Sequence, residues 1–279
     1  MNGDPMHDGA LDDRPDPGVE AARPRRRGIY ILPNLFTLAA LFGGFYAIVM
    51  AMNGRFELAA IGVFCAMVLD SLDGRVARMT HTTSAFGEQM DSLSDMVSFG
   101  AAPALIVYEW ALKGLGKLGW IAAFVYCAGA ALRLARFNTN IGVVDKRFFQ
   151  GLPSPAAAAL VTGFIWLMDD AGYRGVRQID WLAWTAFALT LYAGLTMVTN
   201  VPFYSFKDVS FKRSVPFIVI VAIALFFALI AYHPPTVLFV LFVIYGLSGY
   251  GVYAWRKLKG KPVSVIATST DEPDERGLH

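Results

Sequence analysis

Long apolar stretches alternate with short polar segments along most of the chain. A helix needs about 20 mostly apolar residues to cross a bilayer. Eight stretches approach this length, and their centres lie near Leu41, Cys65, Ala101, Phe124, Val161, Leu189, Ala224 and Phe242. The polar segments between them leave no room for a separate soluble domain. The pattern therefore predicts an all-α, polytopic membrane helix bundle with about eight transmembrane helices.

The two ends of the chain differ from this apolar region. Residues 1–27 are polar and rich in Pro, Gly and Asp, and residues 259–279 are similarly polar. Such segments bury too little apolar surface to offset the entropy lost on folding. We therefore expect disordered tails at 1–27 and 259–279 around a transmembrane domain of residues 28–258.

The distribution of positive charge predicts the orientation of the helices. If the N-terminus is cytoplasmic and eight spans follow, 19 of the 24 Lys and Arg residues lie on the cytoplasmic side. Because cytoplasmic loops are enriched in Lys and Arg, we expect an N-in, C-in arrangement with both tails in the cytoplasm. The basic residues need no nucleic-acid partner, since topology and anionic headgroups account for most of them.

Four aspartates interrupt the apolar pattern where the second helix ends and the third begins. Asp70 and Asp73 are three residues apart, and Asp91 and Asp95 are four apart, so each pair shares one helix face. Two antiparallel helices could direct all four carboxylates to one point, but only with cations or protons among them. Hard oxygen ligands favour Mg²⁺ or Mn²⁺ over zinc. The alternative is that the four are helix caps and exposed turn residues.

Small residues and an arginine accompany these aspartates. Gly74 follows Asp73 directly, and Ala77 lies one turn further on. Together they leave a groove in which a planar group could approach the helix backbone. Arg78 can offer a forked cation to a phosphate.

The same stretch resembles the signature of the CDP-alcohol phosphatidyltransferase family, DxxDGxxAR…GxxxDxxxD. The eight signature positions are present as Asp70, Asp73, Gly74, Ala77, Arg78, Gly87, Asp91 and Asp95. The stretches SFGAAPA, ALRLARFN and FQGLPSPAAA further resemble the bacterial integral-membrane members that form phosphatidylserine. The resemblance runs from about Pro33 to the eighth helix.

The resemblance implies a reaction and roles for the site residues. CDP-diacylglycerol and L-serine would give phosphatidylserine and CMP, at a site facing the cytoplasm from a bacterial inner membrane. Asp70, Asp73, Asp91 and Asp95 would hold two Mg²⁺ or Mn²⁺ ions, and Asp95 would also be the catalytic base. The residues implied in CDP-diacylglycerol binding are Gly74, Ala77, Arg78, Ser84, Gly87, Asn34 and Thr37. Asn34 has an alternative role as the N-cap of the first helix. A homodimer in contact with membrane lipids is also implied.

The acceptor and the chemistry add two expectations. A serine carboxylate needs a cation, and Arg133 and Arg136 at the end of the fourth helix are the candidates. Their alternative role is positive-inside anchoring. No Cys, His or Ser is framed as a nucleophile for a covalent intermediate, so we expect direct in-line displacement. Two metals would neutralise the attacking and leaving oxygens, and a carboxylate would accept the hydroxyl proton.

Three other functions stay open from the sequence. Another acceptor, such as glycerol 3-phosphate, or archaetidylserine synthesis on an ether lipid would use the same motif. An ion-coupled membrane transporter would also carry carboxylates within its helices. A transporter, however, predicts broken helices near the membrane centre rather than carboxylates at the cytoplasmic boundary.

Overall fold

The computed structural model describes residues 31–80, 84–139, 148–173, 180–205 and 217–259. Its helices are α1 (Ile31–Met52), α2 (Phe56–Met79), α3 (Ala85–Asp95), α4 (Ala102–Trp110), α5 (Lys117–Thr139), α6 (Ser154–Asp170), α7 (Asp180–Val198), α8 (Phe217–Tyr232) and α9 (Pro234–Leu258). A π-helical segment, Met96–Ala101, joins α3 to α4, and a 3₁₀ turn, Leu112–Leu115, precedes α5. The strands β1 (Phe148–Gln150) and β2 (Pro202–Tyr204) pair in antiparallel fashion.

The predicted, mostly helical fold is confirmed for the described part of the chain. Each of the eight apolar stretches coincides with helical structure, although the third comprises α3, the π-helical segment and α4. The β1–β2 ribbon, a pair of three-residue strands, was not predicted. Apart from Lys259, the tails expected at 1–27 and 259–279 lie outside the described residues.

Four helices in the described ranges are long and apolar enough to cross a membrane, judged by length and composition. They are α1, α5, α7 and α9. The helix α2 has 24 residues, but the charged residues at its C-terminal end lower its hydropathy. The helices α6 and α8 are shorter, with 17 and 16 residues. Length and composition alone therefore account for half of the expected eight spans.

A stripe of small residues on α1 brings its neighbours close. Ala40 and Ala47 are buried on this stripe together with Gly44. A Cβ at Gly44 would lie 2.6 Å from the Cα of Ser98 in the π-helical segment. The Ser98 hydroxyl also donates a hydrogen bond to the Ala40 carbonyl at 3.0 Å. Small side chains thus let α1 contact α2, α3 and the π-helical segment at once.

The helix α6 forms the centre of the remaining bundle. It is buried along most of its length, including the run of four alanines 156–159, and it contacts α2, α4, α7 and α9. Alanine at these positions allows the surrounding helices to approach closely. The first residue of α6, Ser154, is fully buried and lies at the end of the bundle that carries the predicted site.

Candidate active site

Three of the four predicted aspartates converge at one point. One carboxylate oxygen from each of Asp70, Asp91 and Asp95 lies within 4.8 Å of the other two. Asp70 comes from the C-terminal part of α2, whereas Asp91 and Asp95 occupy successive turns of α3. The spacing of four residues puts both α3 carboxylates on the face that meets α2.

The surroundings of this cluster favour a divalent cation. Burial and mutual repulsion both oppose three charged carboxylates in one place. The Oδ1 atoms of Asp91 and Asp95 are buried, and neither has a hydrogen-bond partner among the described residues. Buried carboxylate oxygens without partners are costly, and a bound cation would satisfy them. Oxygen donors of this type suit a hard divalent ion, so the residues present fit such a metal.

Asp73 lies beside this cluster but is held differently. Its side chain is buried, and its Oδ2 accepts a hydrogen bond from the Thr37 hydroxyl of α1 at 2.7 Å. The Thr37 carbonyl in turn accepts a hydrogen bond from the Ser94 hydroxyl of α3 at 3.1 Å. Asp73 still interacts electrostatically with Asp70 and Asp91. Thr37, expected to contact the nucleotide, thus connects α1 to both aspartate-bearing helices.

Three residues expected to bind CDP-diacylglycerol meet at the start of α3. Ser84 is the N-cap of this helix, and its hydroxyl accepts a hydrogen bond from the Gly87 amide at 3.1 Å. A Cβ at Gly87 would lie 3.4 Å from the Asn34 Oδ1 atom. Since α1 begins at Ile31, Asn34 lies inside the helix, and its alternative role as the N-cap was wrong.

The other three lie at the C-terminal end of α2. Gly74 and Arg78 are exposed, and Ala77 is half-buried. A Cβ at Gly74 would meet no other atom within 4 Å, so the backbone there is open to a ligand. Arg78 Nε donates a hydrogen bond to the Gly74 carbonyl at 2.9 Å, which holds the guanidinium over this surface. The arrangement places the positively charged Arg78 guanidinium beside the accessible backbone at Gly74.

Arg133 and Arg136, which the sequence did not distinguish, have different surroundings. Arg133 Nη1 donates a hydrogen bond to the buried Ser154 hydroxyl at 2.9 Å, and its guanidinium interacts electrostatically with Asp95. Its Nε is buried without a hydrogen-bond partner among the described residues. Arg136 Nη1 instead donates to the Asn200 side chain at 3.1 Å in an exposed position. Arg133 alone of the two therefore lies at the carboxylate cluster.

A profile of the CDP-alcohol phosphatidyltransferase family matches residues 30–198, more than half of the chain. The chain belongs to the CDP-alcohol phosphatidyltransferase family. It is 35% identical over 227 residues to the CDP-diacylglycerol–serine O-phosphatidyltransferase of Helicobacter pylori, covering 81% of this chain and 92% of that protein. Proteins of the same name from Methanocaldococcus jannaschii and Mycobacterium leprae are 32% and 31% identical. These two alignments cover 80% of this chain and 96% and 76% of the relatives.

Membership of the CDP-alcohol phosphatidyltransferase family confirms the resemblance seen in the aspartate motif. The matched region covers α1 to α7 and contains every residue predicted for the site. Two further residues near the site were missed. Ser94 and Ser154 bond partners 57 and 21 residues away, so local spacing gave no signal for them. In this family member, α8 and α9 lie beyond the matched region.

Divalent cations should bind to the carboxylate cluster before any substrate is present. We expect Mg²⁺ or Mn²⁺ to raise the Tm of EDTA-treated protein in detergent, because a ligand at 100 times its Kd stabilises the folded state by about 2.7 kcal/mol. Asp91→Asn removes one ligand charge and should abolish most of this rise. Glu88→Gln changes an exposed carboxylate on the same helix and should preserve it. An undiminished rise in Asp91→Asn would contradict a metal site at this cluster.

Proposed function

We propose that the chain transfers the phosphatidyl group of CDP-diacylglycerol to the hydroxyl of L-serine, giving phosphatidylserine and CMP. The printed names of the relatives support this reaction, and the alignments span most of their length. The structural observation that carries the choice of acceptor is the position of Arg133. Its guanidinium interacts electrostatically with Asp95, so an acceptor carboxylate bound to it would lie near the metal-binding carboxylates.

The proposal places this reaction at the cytoplasmic surface of a bacterial inner membrane. It uses eight spans with both termini in the cytoplasm, an arrangement that puts 19 of the 24 Lys and Arg residues on the side of the site. The diacyl tails stay in the bilayer while the CDP headgroup enters from the cytoplasm. The homodimer implied by the family stays a prediction.

The aspartates and the α2 groove prepare the donor. Two Mg²⁺ or Mn²⁺ ions held by Asp70, Asp73, Asp91 and Asp95 would supply charge neutralisation on the pyrophosphate oxygens. Gly74 leaves the backbone of α2 open to the nucleotide, and Arg78 offers its guanidinium to a phosphate. Ala77, Ser84, Gly87, Asn34 and Thr37 complete the proposed donor site.

Arg133 and Asp95 act on the acceptor. Arg133 binds the serine carboxylate and thereby orients the hydroxyl towards the phosphatidyl phosphorus. As the new O–P bond forms, the Asp95 carboxylate accepts the hydroxyl proton, and the P–O bond to CMP breaks. CMP leaves with the bridging oxygen, so a single displacement forms one O–P bond and breaks another.

The acceptor can be identified directly from the lipid product. Purified protein and Mg²⁺ are incubated with CDP-diacylglycerol or its ether-linked analogue and with serine or glycerol 3-phosphate, and the products are identified by mass spectrometry. We expect phosphatidylserine and an equal amount of CMP with serine only. A phosphatidylglycerol phosphate product would show that glycerol 3-phosphate, not serine, is the acceptor. A strong preference for the ether-linked donor would indicate archaetidylserine synthesis. If no acceptor leads to CMP release, the proposed transferase activity would be wrong and a transporter would be favoured.

The two arginines provide a matched pair for the acceptor site. Arg133→Ala should raise the KM for serine about 10- to 150-fold, the effect of losing a charged hydrogen bond of about 1.5–3 kcal/mol. The KM for CDP-diacylglycerol should change much less. Arg136→Ala removes an exposed guanidinium one turn away and should leave the KM for serine nearly unchanged. Similar changes in both constants for Arg133→Ala would support the anchoring alternative instead.

Asp95 should be needed for chemistry more than for donor binding. Asp95→Asn keeps the side-chain volume but removes the proton acceptor, so we expect kcat to fall about 10²- to 10⁴-fold at saturating metal. The affinity for CDP-diacylglycerol, measured by titration, should stay close to that of the wild type. Turnover within a few-fold of wild type would exclude the base role. Loss of donor binding would show that Asp95 is chiefly a metal ligand.

A further inference from the structure

The C-terminal half of α5 runs antiparallel beside α3 and the π-helical segment. A Cβ at Gly100 of the π-helical segment would lie 3.2 Å from the Ala130 Cβ of α5. Two turns further along α5, the Asn138 side chain donates a hydrogen bond to the Ser92 hydroxyl of α3 at 3.0 Å. The turn of α5 between these two contacts therefore lies beside the junction of α3 with the π-helical segment.

Arg133 belongs to that turn, and Asp95 is the last residue of α3. Helix packing thus places Arg133 level with Asp95, independently of their charges. From this position Arg133 Nη1 donates a hydrogen bond at 2.9 Å to the hydroxyl of Ser154, the first residue of α6. Ser154 is fully buried, so its hydroxyl connects α5 to α6 in a place shielded from water.

The backbone that leads into Ser154 is held by α7 and by the residue before β2. The Gly151 amide donates a hydrogen bond to the Val201 carbonyl at 2.9 Å, and the Leu152 amide donates to the Thr196 carbonyl of α7 at 3.2 Å. Gly151 has a φ of +72°, which glycine adopts without the steric cost that other residues meet. These bonds fix the start of α6, so the Ser154 hydroxyl is a fixed acceptor for the arginine.

The bond to Ser154 determines which edge of the guanidinium is presented to a ligand. In an arginine side chain, Nε and Nη2 form one edge, and Nη1 points in another direction. Because Ser154 accepts from Nη1, the Nε–Nη2 edge is left for a carboxylate, which can accept two parallel hydrogen bonds there. Arg133 Nε is buried without a hydrogen-bond partner among the described residues, and an acceptor carboxylate would satisfy it. The Ser154 hydroxyl is neutral, so it orients the guanidinium without cancelling its charge.

We infer that Ser154 is a positioning residue, which holds Nη1 of Arg133 and thereby turns the Nε–Nη2 edge towards the carboxylate of the acceptor. The inference rests on the proposed function, since Arg133 is the proposed binding group for serine. It makes the first turn of α6 part of the acceptor site. Ser154 acts on serine through Arg133 and does not touch the reacting atoms.

The first test separates serine binding from donor binding. Ser154→Ala removes the hydroxyl, so we expect the KM for serine to rise about 3- to 10-fold, the effect of one hydrogen bond. The values of kcat and of the KM for CDP-diacylglycerol should stay within two-fold. Ser154→Cys keeps a side chain of similar size but offers a weak acceptor, so it should give the same split even if alanine disturbs the packing. Thr162→Val is the matched control, because this buried hydroxyl of α6 bonds the Ala158 carbonyl at 2.7 Å, and the KM for serine should not change.

A double-mutant cycle distinguishes positioning of Arg133 from a general packing role. In an Arg133→Ala background, Ser154→Ala should leave kcat/KM for serine within two-fold, because the group that it orients is gone. A further 3- to 10-fold fall in that background, or an equal rise in both KM values in Ser154→Ala, would overturn the inference. So would an unchanged KM for serine in Ser154→Ala and Ser154→Cys if Arg133→Ala raises it, and the proposed function would then stand. Absence of phosphatidylserine formation by the wild type would overturn both.

Discussion

The contact of α1 with α2 and α3 is the constraint on which the site depends. Helices in a membrane gain little from the hydrophobic effect against each other, so close packing and hydrogen bonds must hold them together. Here the Thr37 hydroxyl bonds Asp73 of α2, and the Thr37 carbonyl accepts from Ser94 of α3. One residue of α1 therefore ties both aspartate-bearing helices to the same turn. Gly44 lets α1 approach the π-helical segment that follows α3, since a side chain there would overlap Ser98.

This contact allows the carboxylates of Asp70, Asp91 and Asp95 to lie close together, where they can bind a cation. Three carboxylates repel one another in a half-buried site, so a framework fixed elsewhere must hold their helices in place while a cation or protons offset the repulsion. The π-helical segment that follows Asp95 contributes to that framework. Its Ser98 hydroxyl bonds the Ala40 carbonyl of α1, and its Phe99 carbonyl accepts a hydrogen bond from the buried Tyr126 hydroxyl of α5. Segments of this kind occur frequently at functional sites, where they change the face that a helix presents.

The parts of the fold and site that could be predicted are those encoded by local spacing. Apolar length located the helical segments, and spacings of three and four residues located the aspartates. The remainder depends on partners distant in the sequence. Arg133 and Arg136 are one turn apart in the sequence, and it is their distant partners that distinguish them: Ser154 and Asp95 for Arg133, and Asn200 for Arg136. The ribbon pairs two three-residue strands more than 50 residues apart, too short to show an alternating pattern.

This division between local and distant contacts coincides with a division of the proposed site. The donor half comes from neighbouring segments of α2 and α3 steadied by α1, so one continuous motif encodes it. The proposed acceptor half lies where α5 meets α6, through the hydrogen bond between Arg133 and Ser154. The donor half of the proposed site is therefore recognisable from one continuous motif, whereas the hydrogen bond that joins Arg133 to Ser154 in the proposed acceptor half is seen only in the folded bundle.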